Sequence, residues 1–207
     1  YALFFSLGYV NIKTGVGALI LFTSVQITMI GISVFLGNRL NKFEWGGFVL
    51  AFGGLVYLLF PGLSAPPLLS AILMMLSGMA WGIYSILGKK GDDPILATAI
   101  NFLYCAPLGT LLFFFIENDI QLGGTGLVLG IVSGAITSAL GYVLWYQTLK
   151  DISTTIASII QLSVPIIAAF GGVIFISEPF SLRLLISTLI IFGGIFLTIK
   201  GRELLKN

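Results

Sequence analysis

The sequence predicts an all-α membrane protein, a polytopic bundle of about eight helical segments in which seven full spans follow a partial first. Three observations carry this. Of the 207 residues, 57% are hydrophobic and 9% charged, with a mean hydropathy of +1.09, a balance no water-facing surface has. Charge-free runs able to cross a bilayer core of roughly 30 Å recur at Trp45–Gly88, Pro94–Ile116, Ile120–Leu149 and Ile152–Ser177, and the first is long enough for two spans. The remaining charges also sort by side once the segments are counted. A transmembrane barrel would need short alternating strands, and no period-two alternation is present.

The segments fall at about 1–12, 14–36, 43–60, 67–88, 94–116, 124–149, 154–176 and 181–200. Twelve residues cannot span a bilayer, and the chain opens on Tyr1 rather than methionine, so the first segment reads as the end of a helix that begins upstream. Segment two, from Thr14, is apolar with a polar insert of Thr23, Ser24, Gln26 and Thr28. Asn41 and Glu44 have capping-box spacing and start segment three. Pro61 to Pro67 is a Pro/Gly/Ser break before segment four, and Asp93 followed by Pro94 is an N-cap with proline at the first helical position of segment five. Segment six carries Gly130 and Gly134 in G-x-x-x-G spacing, which together with the pairs Gly53-Gly54, Gly171-Gly172 and Gly193-Gly194 allows close helix approach. Segment seven contains Pro165 at its middle, which withholds a donor from the Gln161 carbonyl and kinks the helix. Ser181 caps segment eight.

An internal repeat relates the two ends of the chain. Adding 140 carries Phe52-Gly53-Gly54 onto Phe192-Gly193-Gly194, Phe35 onto Phe175, and the cap Asn41 onto the cap Ser181. Segment two then maps onto segment seven, a unit of five spans, so the two copies have opposite topology, a transporter architecture. The partner of segment six would start about sixteen residues before Tyr1. The expected division is 1–62 as the end of the first repeat, 67–200 as the complete second repeat and 201–207 as a cytoplasmic tail. Alternating spans put Arg39, Lys42, Lys89, Lys90, Lys150, Lys200, Arg202 and Lys206 on one side and Lys13 and Arg183 on the other. That is the positive-inside pattern, with the C-terminus in the cytoplasm.

Function classes narrow by what the spans lack. There is no histidine, and the one cysteine, Cys105, reads as a small buried hydrophobe, so disulfides, His-based metal sites and cofactor sites of that kind are not expected. No basic run points to nucleic acid. No acidic or basic residue falls inside a span, so an evident general base or proton relay is missing and no enzyme activity is expected; Glu178 lies at the end of segment seven and reads as a solvated helix-end carboxylate. The spans instead hold neutral polar and aromatic groups: Gln26, Trp81, Tyr84, Asn101, Tyr142, Trp145, Gln161 and Pro165 are the candidate substrate-binding residues. Trp81 with Tyr84, and Tyr142 with Trp145, are three apart and share helix faces. Two readings stay open, since such amides either line a cavity or bond between helices, and the aromatics either gate a cavity or sit at the membrane interface.

Particular stretches carry a resemblance. Leu36-Gly37-Asn38-Arg39-Leu40 followed by Trp45-Gly46 and the Gly53-Gly54 span, then Ala80-Trp81-Gly82-Ile83-Tyr84-Ser85, then Tyr146-Gln147-Thr148-Leu149-Lys150 with Pro165 and Ser177-Glu178-Pro179, resemble EamA-like proteins of the drug/metabolite transporter superfamily. Asn38 stands where the family usually has glutamate, and Gln26 stands near a usual proline, so segment two should be less kinked than segment seven. The resemblance implies ten helices in two inverted repeats, a central cavity and transport of small metabolites, often efflux of amino acids.

The expectation is therefore a multi-pass secondary transporter, an exporter of small polar metabolites across the inner or plasma membrane by alternating access. Its partners would be a small-molecule substrate and the lipid bilayer, with a homodimer as a further state. The rivals are a membrane enzyme subunit, whose catalytic groups would lie upstream of Tyr1, and a non-transporting assembly protein packed with aliphatics.

Overall fold

A computed structural model describes residues 1–62, 65–91, 93–113, 123–175 and 177–204. All the regular structure among them is helical, and seven helical runs are long and apolar enough to cross a membrane. The order is α1 (Ala2–Tyr9), α2 (Thr14–Phe35), α3 (Lys42–Leu59), α4 (Leu68–Gly88), α5 (Pro94–Phe113), α6 (Gly124–Ile131), α7 (Gly141–Asp151), α8 (Thr154–Ile160), α9 (Val164–Phe175) and α10 (Leu182–Leu204). A π-helical stretch, Val132–Leu140, joins α6 to α7, and a 3₁₀ turn, Gln161–Ser163, joins α8 to α9. The expected end of segment five at 114–116 and the last three residues of the expected tail lie outside the described residues. Within that tail, α10 runs on to Leu204, so residues 201–204 belong to the last helix.

The caps follow local chemistry. Asn41 accepts from Phe43 N and Glu44 N at 2.9 Å while Glu44 accepts from Asn41 N at 2.9 Å, a full capping box. Asp93 accepts from Ile95 N and Leu96 N, and Ser181 from Leu184 N. Gly37, at φ 91°, ends α2 in a Schellman motif, with Gly37 N donating to Val34 O and Asn38 N to Ser33 O. Ser177, 140 residues on, also has positive φ, at 58°. The runs Thr14–Phe35 and Thr154–Phe175 begin and end 140 residues apart, and α3 and α10 begin 140 apart. Only the second of the pair is broken: α2 is continuous, whereas its counterpart is interrupted three residues before Val164-Pro165.

The chain divides into two compact units. The first comprises Tyr1–Ile86 and the chain from Ser153 onward, and its core is Ala51, Leu55, Ile159, Leu162, Ile166, Leu184, Ile191 and Ile195. Its tightest packing is between α3 and α10, which run antiparallel: Phe43 lies over Gly201, Gly47 over Gly194 and Thr198, and Gly54 over Ile190 and Ile191. At one end Arg202 donates to Glu44, and at the other the Arg183 guanidinium lies 5.2 Å from the Tyr57 ring centre.

The second unit, Leu87–Ile152, contains α5 to α7. The Tyr146 ring covers Gly88, and Lys89 Nζ donates to Ile152 O. Two expectations fail here. Gly130 and Gly134 have nothing within 4 Å of a built Cβ, so they make no close helix contact among the described residues; they lie at the junction where the helix widens from α to π. Cys105 is exposed rather than buried, because α5 turns almost all of its apolar surface outward. Of the other glycine pairs, the second member does the packing: Gly53 has no neighbour within 4 Å and Gly193 only Leu50, while Gly172 lies under the Glu178 carboxylate.

Candidate functional site

Helix α4 brings the first unit's polar groups together because one of its faces is made of small residues. Ser77, Gly78, Gly82 and Ser85 are buried, with Gly78 against the Leu21 carbonyl and Ser24, and Gly82 against Thr28. A Cβ at Gly78 would stand 2.7 Å from that of Ser24, so α2 can lie this close only against glycine. This seats Trp81 beside α2 and α8. Its indole N–H donates to Gln161 Oε1. On the other side its ring lies 4.9 Å from Tyr1 and 5.6 Å, stacked, from Tyr84.

Gln161 is 5% exposed, and its Nε2 donates weakly to Met29 Sδ at 3.2 Å and to Ala157 O at 3.3 Å. Gln26, 1% exposed on α2, donates from Nε2 to the neighbouring carbonyl, Ser158 O, at 2.6 Å. Both carboxamides thus converge on the consecutive carbonyls of Ala157 and Ser158. Gln26 Oε1 is buried with no hydrogen-bond partner. Turning the amide over would set oxygen against the Ser158 carbonyl, so the acceptor is the orphan. An unmade hydrogen bond of this kind costs about 1–3 kcal/mol.

The expected free carbonyl at Gln161 is not free. The missing Pro165 N–H is replaced by Val164 N, which donates to Gln161 O as the helix tightens to a 3₁₀ turn. Pro165 itself stands at the start of α9, where a proline is tolerated.

The remaining candidates belong to the second unit. Asn101 Nδ2 donates to Tyr146 Oη at 3.5 Å, and Tyr142 packs on Phe102 at 5.8 Å. Trp145 is half-buried on α7. Tyr142 and Trp145 lie in the first turns of α7, after the nine-residue π stretch, a kind of helix irregularity that recurs at functional sites and that 3.6-residue periodicity does not reveal. Of the candidate residues, the structure gathers Gln26, Trp81, Tyr84 and Gln161 in one locus; Met29, Tyr1 and the glycine floor join them without any polar sequence signal. A separate groove of about 550 Å³, lined by Trp45, Gly46, Val49, Leu50, Gly53 and Ile190, lies along α3. Its lining is apolar and offers nothing to recognise a polar metabolite.

The locus contains neutral side-chain donors and acceptors and aromatic faces, and no cluster of metal-ligating residues occurs among the described residues. Groups of these types recognise polar ligands through hydrogen bonds and stacking.

Comparison with known proteins reaches the same architecture. Residues 68–200 match the model of the EamA-like transporter family. An uncharacterized protein of Pseudomonas aeruginosa is 44% identical over 202 residues, covering 98% of this chain and 70% of the relative. An uncharacterized transporter of Archaeoglobus fulgidus is 28% identical over 98% of this chain and 74% of its own, and the uncharacterized transporter YoaV of Bacillus subtilis 23% identical over 95% and 73%. A crystal structure superposes with a TM-score of 0.83 over 95% of this chain and 72% of that one, at 16% identity, which shows the shared fold.

Proposed function

Starting from the fact that this chain belongs to the EamA-like transporter family and is a multi-pass membrane transporter, we propose that it exports small polar metabolites, amino acids foremost, by alternating access across the inner or plasma membrane. The observation that carries this reading is the carboxamide pair. Gln26 and Gln161 are polar, buried and uncharged, in apolar runs that begin 140 residues apart, and an aromatic ring closes one of them. A site without fixed charge suits a neutral or zwitterionic substrate and disfavours phosphates or nucleotide sugars, which call for Lys or Arg at the site. The family assignment supports a non-enzymatic role.

We read residues 1–62 as the end of a first repeat and 67–200 as the second, supported by the matched helix boundaries and caps. Sites at the interface of such repeats are where transporters place substrate. Residues 39, 42, 89, 90, 150, 200 and 202 would then face the cytoplasm. A reporter fused after Asn207 is expected to be active in the cytoplasm; activity on the opposite side would overturn this orientation.

Transport itself is tested in vesicles holding the purified protein and a panel of radiolabelled amino acids. Uptake or efflux above protein-free vesicles is expected for at least one, with Gln161→Leu cutting the rate by tenfold or more. Wild-type rates in that variant would remove this locus from the pathway.

A further inference from the structure

Trp81 and the two carboxamides have a consequence that rests on the transport reading above and sharpens it. We propose that Gln26 Oε1 and Gln161 Oε1 together form the docking point for a substrate's primary ammonium group, and that the Trp81 indole N–H is its built-in stand-in.

Gln26 Oε1 is buried with no partner, while Gln161 Oε1 is satisfied by the indole N–H. Both amide nitrogens are turned away from this task, held by the adjacent backbone carbonyls Ala157 O and Ser158 O. The locus thus offers one vacant acceptor and one that is provisionally capped. A primary ammonium carries three N–H donors and no acceptor, and a carboxylate carries none of the donors needed here. Trp81 is held between Tyr1 and Tyr84, so the piece free to move is Gln161: its Nε2 contacts are a thioether and a 3.3 Å carbonyl, and it stands on the 3₁₀ turn between α8 and α9. An arriving ammonium would take the place of the indole N–H at Gln161 Oε1, and its charge-assisted hydrogen bonds there would offset the indole bond given up. No covalent step is involved.

The test uses protein labelled with 5-fluorotryptophan in lipid nanodiscs. Its three tryptophans give three fluorine resonances, and that of Trp81 is assigned by its loss in Trp81→Phe. Titration with the twenty amino acids is expected to shift the Trp81 resonance for the transported members. Their N-acetylated derivatives, which lack the ammonium, should bind at least tenfold more weakly, while their α-amides, which lack only the carboxylate, should retain most of the shift. Gln26→Leu is expected to weaken the response to the free amine tenfold or more and to leave the residual response insensitive to N-acetylation. Equal binding of free and N-acetylated amines, an unaltered response in Gln26→Leu, or a shift given by sodium chloride alone would overturn the proposal. So would a panel in which no amino acid moves the resonance; if vesicles still transport one of them, the transport reading stands while this docking point falls.

Discussion

Replacing Gly194 with valine is expected to prevent assembly of the first unit, whereas alanine at the adjacent Gly193 is expected to leave the protein as stable as before or slightly more so. A Cβ at Gly194 would stand 2.6 Å from Ala51 N and 2.9 Å from Ala51 Cβ, and close to the Gly47 carbonyl. Two of these three atoms are backbone, so relief requires α3 and α10 to separate along their glycine-lined contact. Core overpacking ordinarily costs about 1–3 kcal/mol, and a helix interface founded on glycine sits at or above the top of that range. At Gly193 the nearest atom is Leu50 Cδ2 at 4.0 Å, an ordinary contact, and alanine there gains up to about 1 kcal/mol of helix propensity. The measurement is the fraction of monodisperse protein surviving a temperature ramp in detergent. A comparable loss in both variants would mean that the α3–α10 contact does not hold this unit together.

Helix number and helix ends were legible because they rest on local chemistry. Asn41, Asp93 and Ser181 cap through side chains that reach only two or three residues, and the offset of 140 needs only the order of apolar runs and caps. The partition of surfaces was not legible in the same way. In a chain this apolar, hydrophobicity does not distinguish the face that meets lipid from the face that meets protein, so Cys105 reads as buried from sequence yet stands exposed, and of two adjacent glycines only geometry shows that Gly194 is the one under a neighbouring backbone. The amides were visible as buried polar groups that demand partners, but Gln26 bonding to Ser158 and Gln161 to Trp81 depends on contacts 132 and 80 residues away. The π stretch of segment six lies beyond a reading that assumes 3.6 residues per turn.

Arg202→Met is expected to lower stability by about 2 kcal/mol, and adding Glu44→Gln to it is expected to restore part of the loss rather than deepen it. Glu44 is 2% exposed and uses both oxygens: Oε1 accepts from Arg202 Nη1 at 2.6 Å, and Oε2 accepts from Asn41 N at 2.9 Å. Removing the guanidinium leaves a buried carboxylate without its counter-charge, which for a fully buried pair costs roughly 3–5 kcal/mol. Arg202 is 29% exposed, so water takes up part of that cost. Glutamine at position 44 keeps the acceptor that closes the capping box and carries no charge to strand. The single Glu44→Gln variant should therefore lose less than Arg202→Met, since it leaves behind only a partly hydrated arginine. This ordering separates a charge effect from simple loss of packing by the arginine stem, for which the double variant would be as unstable as Arg202→Met or more so. Melting curves of the three variants in one detergent decide between them, and a double variant below Arg202→Met would sink the electrostatic account of how the α3 and α10 ends are joined.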